Sequence, residues 1–155
     1  MIRLLVLCFV ILTSCTTMTS VKSQKLQDGE DIFISESQGG TETPGFTIID
    51  NEKDFQKAIG RNQFQIVEAG KESSAAYPKF PANKKVVLYN LGTFRSGDHR
   101  IPEIKNLFVK DNVLIVEVPY RESGGMEIQM ISAPWMIFTV PSDYKFTSVE
   151  LKYSK

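Results

Sequence analysis

Residues 104–120 read IKNLFVKDNVLIVEVPY, two runs of β-favouring residues on either side of Lys110-Asp111-Asn112. Asp and Asn tolerate the backbone that a tight reversal demands, so Ile104 to Val109 and Val113 to Tyr120 form a hairpin. In the second arm Leu114, Val116, Val118 and Tyr120 share one face, the period of a strand buried on one side.

The same period continues downstream. A reversal at Glu122-Ser123-Gly124-Gly125 leads into Met126, Ile128 and Met130, which alternate with Glu127 and Gln129. Trp135 to Val140 is a compact apolar run, and Val149, Leu151 and Tyr153 alternate with Ser148, Glu150 and Lys152. Upstream, Val86-Val87-Leu88-Tyr89 is the short apolar run of a buried strand. Asp31–Glu36 and the FTII run after Pro44-Gly45 are two more short strands. Only DNEKDFQKAIG, residues 50–60, has helical spacing. Asn51 can cap it, Asp54 lies near its positive end, Phe55, Ala58 and Ile59 fall on one face, and Gly60 can stop it. Residues 61–85, interrupted by Pro78 and Pro81, read mostly as loop. The predicted fold is mainly β (α+β): an antiparallel β-sandwich or partly open barrel with one helix from the N-terminal half.

The first residues set the address. Met1-Ile2-Arg3 is a short positive start, and Leu4 to Leu12 is an apolar run of signal-peptide length. About 20 apolar residues are needed to cross a bilayer. Leu12-Thr13-Ser14-Cys15 resembles a bacterial lipobox, which implies a lipoprotein signal peptide over 1–14 and acylation of Cys15. Residues 15–29, rich in Ser, Thr and Gln, read as a flexible tether, and 30–155 as a single β-rich domain. Its expected location is the bacterial cell envelope, lipid-anchored at the outer membrane or the periplasmic face. Cys8 lies within the apolar run, so the mature chain has no pair to oxidise and must hold by core packing. Without Arg3 it has 17 basic and 18 acidic residues, a net charge of −1. That balance gives no general field for nucleic acid. No nucleic-acid partner, small-molecule substrate, metal or cofactor is expected.

The chain's one histidine lies in residues 92–101, GTFRSGDHRI. A triad of Ser96, Asp98 and His99 is unfavourable, because neighbours in an extended chain point to opposite faces and triads assemble from separate elements. One imidazole is also too few for a zinc site. The loop instead offers Gly92 and Gly97 for turning, with Phe94 and Arg95 of the kind found at interfaces. The bland alternative is a Phe94 that plugs the core beside a solvated Arg95. Accordingly, no catalytic residue is assigned.

The order PKFPANKKVVLYNLG, FRSGDHRI, NLFVKDNVLIVEVPYRESGGMEIQ and SAPWMIFTVP resembles the C-terminal domain of the protease complex subunit PrcB family, over about Pro78 to Pro141. That family has a threonine-glycine-glycine turn followed by a ring. Here Ser96 stands for the threonine, Gly97 for the first glycine, Asp98 replaces the second, and His99 takes the ring position. Ala133-Pro134-Trp135 stands where the family has a proline and a ring before an apolar strand. The resemblance implies a non-catalytic envelope lipoprotein that binds or stabilises a partner protein, an envelope protease among the candidates. The contact residues it suggests are Phe94, Arg95, Ser96, Gly97, Asp98, His99, Pro134 and Trp135. A looser similarity, to the chagasin-like protease inhibitors, sets the loops at 93–99, 122–125 and 132–135 against a protease cleft, with Ala133 in place of an arginine.

Overall fold

The computed structural model describes residues 31–60, 78–121 and 129–155. In chain order these hold β1 (Phe33–Glu36), β2 (Gly45–Ile49), α1 (Glu52–Gly60), β3 (Lys84–Asn90), β4 (Asn106–Lys110), β5 (Val113–Pro119), β6 (Trp135–Pro141) and β7 (Ser148–Ser154). One sheet has the order β1-β6-β3-β2 and the other β4-β5-β7. They pack face to face without closing into a barrel, so the fold is a β-sandwich.

The deciding hairpin forms as its turn chemistry requires. Lys110 pairs with Val113, and between them Asp111 and Asn112 have φ of 52° and 62°. Two consecutive positive φ values mark the type I′ reversal, whose twist matches that of the strands it joins. Leu114, Val116 and Val118 are fully buried. Tyr120 shares their phase but lies beyond the end of β5 and is 48% exposed.

The central strands explain the two unbroken apolar runs. Val87, Met136, Phe138 and Val140 face Leu107, Leu114, Val116 and Val118 between the sheets. On the opposite face Val86, Leu88, Trp135 and Ile137 pack against Phe55, Ala58 and Ile59. Strands β3 and β6 are thus covered on both sides, which removes the alternation seen in β5 and β7. The helix is capped by Asn51, whose Oδ1 accepts the Asp54 N–H at 2.9 Å.

Two features depart from expectation. Strand β5 pairs with β7 in parallel, because β6, which comes between them in the chain, belongs to the other sheet. Every other pair is antiparallel. The strand expected at 126–130 falls mostly outside the described residues, as does the reversal at 122–125. Its last two positions, Gln129 and Met130, are in no strand. The signal peptide, Cys15, the tether and residues 61–77 also lie outside the described residues.

Candidate functional site

One end of the sandwich gathers the loops. Here β1 and β3 finish, β2 and β6 begin, and three connecting segments lie side by side. The Gly40 N–H donates to the Ala133 carbonyl at 2.8 Å, and the Ala133 N–H to the Ser37 carbonyl at 3.2 Å. After β3, the Leu91 N–H donates to Pro134 and the Thr93 N–H to Glu42. Gly92 makes the bend between them with φ 89°. A Cβ there would lie 2.9 Å from the Pro44 ring carbons, so both the backbone and the space call for glycine.

Residues 94–99 are then pinned from within. Phe94 and Ser132 exchange both backbone hydrogen bonds, at 2.8 and 2.9 Å, and the buried Ser132 hydroxyl donates to the Gly97 carbonyl at 3.2 Å. The Phe94 and His99 rings stack, with centroids 3.8 Å apart and planes 12° from parallel. The His99 Nε2 is 2.7 Å from the Ser96 carbonyl. Gly97 takes the left-handed backbone with φ 72°, whereas Asp98 does not enter that region. The Asp98 carboxylate accepts the Arg100 N–H at 2.9 Å and faces the Arg100 guanidinium at 3.8 Å. His99 thus has a ring and a backbone carbonyl for partners and supports the shape of the bend. Among the described residues no three His, Cys, Asp or Glu side chains are placed to share a metal ion.

The expected contact residues divide. Arg95 and Asp98 are exposed, Ser96 and His99 are partly so, and Gly97 is buried. Phe94 is half-buried against the core between the sheets. Pro134 is fully buried and Trp135 is 3% exposed, with its indole N–H donating to the Gln38 carbonyl at 2.8 Å. These last two side chains are core, because the chain has already entered the doubly covered sheet at 134. What the segment presents outward is Ile131, 69% exposed.

Beside the 98–102 loop lies an open groove of about 590 Å³, bounded across from it by Pro119, Tyr120, Arg121 and Tyr153. The Tyr120 N–H donates to the Ser154 carbonyl at 2.9 Å, which holds the ends of β5 and β7 together on the far wall. Tyr153 is 50% exposed, and Lys155 Nζ lies 5.5 Å above the Tyr120 ring. Burial pushes the Tyr153 phenol above its ordinary pKa, against the opposing effect of the Arg121 charge. Burial likewise raises Tyr89, with Tyr153 and Glu150 adding to the effect. The strand pattern hid this wall, since Tyr120 and Tyr153 have the phase of core residues and are exposed only because they stand at strand ends.

No family model matches the chain, and neither a curated protein nor a solved structure matches it.

Proposed function

We propose that this chain is an envelope lipoprotein, acylated at Cys15, whose β-sandwich binds a partner protein at the end where the 37–44, 92–101 and 131–135 segments meet. The observation that carries the reading is the construction of the 92–101 bend. Glycine turns, a ring stack and a buried hydroxyl hold an exposed Arg95 and Asp98 in one shape. A bend ordered before binding loses little conformational entropy on contact, which favours recognition. The resemblance to the PrcB family suggests a surface protease as that partner. The adjoining 93–99 and 131–135 loops also suit insertion into a protease cleft, which is the inhibitor alternative.

The test is photocrosslinking in intact cells from positions 95 and 131, with position 143 at the opposite end of the sandwich as control. One captured protein from 95 and 131, absent from 143, is the expected result. Equal capture from all three would refute this surface. Addition of the purified chain to papain-like and subtilisin-like proteases separates binding from inhibition. For the anchor, Cys15→Ala is expected to abolish incorporation of labelled fatty acid.

A further inference from the structure

We infer that the anchored chain turns its 92–101 and 131–135 segments away from the lipid, so that the partner region they read is a water-exposed domain and not a membrane-embedded segment. The inference rests on the lipoprotein and partner-binding reading above and adds where on the partner contact is made. It comes from the pole at which the chain enters the sandwich. Ile32 and Thr139 share two hydrogen bonds, from the Thr139 N–H to the Ile32 carbonyl and from the Ile32 N–H to the Thr139 hydroxyl, each at 3.1 Å. The Asp31 carboxylate accepts from Lys84 Nζ, and Lys84, the first residue of β3, pairs with Pro141, the last of β6. Entry is therefore at the pole where β3 begins and β6 ends. The bend lies past the other end of the same strands, where Trp135 pairs with Glu36 and Asn90.

Strand β6, seven residues long, covers about 20 Å between the two poles. Past Trp135 the chain runs on to Ser132, which bridges Phe94, and the exposed Arg95 and Ile131 follow that bridge. Cys15 and Asp31 are 16 positions apart, so an acyl group on Cys15 holds the entry pole within about 55 Å of the lipid. A body held through one pole cannot push its mass into the bilayer, and the held pole stays on average the nearer one. The bend also carries charge, since Arg95 and Asp98 are both exposed, which disfavours contact inside the hydrocarbon layer. Attachment and charge thus point the bend to the same place, the aqueous side.

The test uses the full acylated chain, reconstituted in phospholipid vesicles whose head groups carry an acceptor dye. Arg95→Cys or Asp143→Cys supplies the donor site, the one free thiol of the mature chain once Cys8 leaves with the signal peptide and Cys15 is acylated. With poles about 20 Å apart, energy transfer from position 143 is expected to exceed that from position 95 at least about twofold. Equal transfer, or more from 95, would overturn the inference. In cells, the partner peptide photocrosslinked from position 95 is expected to lie outside any apolar run of about 20 residues. A crosslink within such a run would overturn it as well. The readings fail in different ways. A labelled chain that does not stay with the vesicles removes the anchor and the orientation with it, and no capture from 95 or 131 removes the partner surface. Transfer favouring 95, in a chain that stays on the vesicles and captures a partner, sinks the orientation alone.

Discussion

His99 stacks on Phe94 because Gly97 reverses the chain between them, and this arrangement gives the two rings a structural task. The His99 ring lies on Phe94, and its Nε2 reaches the Ser96 carbonyl. Gly92 is held more tightly still. Alanine there meets both an unfavourable φ and the Pro44 ring, so Gly92→Ala is expected to lower stability by about 1–3 kcal/mol in urea unfolding. A stability equal to that of the parent chain would show that the 42–44 segment can move aside. A second single-residue test concerns Glu117. The hydrogen bond from Lys152, then that from Asn106, holds its carboxyl below the ordinary glutamate range. A depressed carboxyl stabilises the fold above its unfolded pKa, and that contribution is lost as pH falls through the folded one. Lys152→Met is therefore expected to move the Glu117 titration upward, as read by NMR of the side-chain carboxyl. An unmoved titration would assign the effect to Asn106 and the remaining surroundings.

At the scale of single elements, local chemistry and packing agree most closely in α1 and in the β4–β5 hairpin. The helix has nine residues, too short to persist alone, so its cap and its buried face must act together. Asn51→Ala removes the acceptor for the Asp54 N–H and is expected to cost about 1 kcal/mol in chemical unfolding. No measurable loss would mean that packing of Phe55, Ala58 and Ile59 alone holds the element. Both elements were legible in the sequence because their signals are local: a cap three residues from its donor, and two adjacent residues able to take positive φ. Strands β3 and β6 were legible as apolar runs, though the run alone does not tell what covers each face. Trp135 shows the difficulty. A ring after a proline at a loop exit reads equally as a displayed anchor or as the first core residue of a strand. Here the neighbouring helix face and the Gln38 carbonyl decide for the core. Tyr120 is the converse, with a core phase and an exposed position.

Across the whole molecule, two central strands, β3 and β6, buried on both faces divide the structure between stability and display. Phe138, fully buried at the centre of β6 and packed between the sheets, is the site where truncation should cost most. Phe138→Ala is expected to destabilise the chain by about 3–5 kcal/mol, whereas Arg95→Ala at the exposed bend should stay within about 0.5 kcal/mol. Comparable losses at both positions in thermal unfolding would mean that the bend is itself part of the core. The division favours tests of recognition at the exposed Arg95 and Ile131, because Phe94, Pro134 and Trp135 would report folding instead.

Among the described residues the order of β1 to β7, the helix with its cap and the β class were determined by residue spacing alone, since each depends on neighbours within a few positions. Tertiary structure alone decided that β5 and β7 run parallel, that Gly97 and not Asp98 bears the left-handed turn, and that two strand-end tyrosines face a groove beside the 98–102 loop. Those outcomes depend on which distant segments come together and on where a sheet stops. Local periodicity carries information about neither.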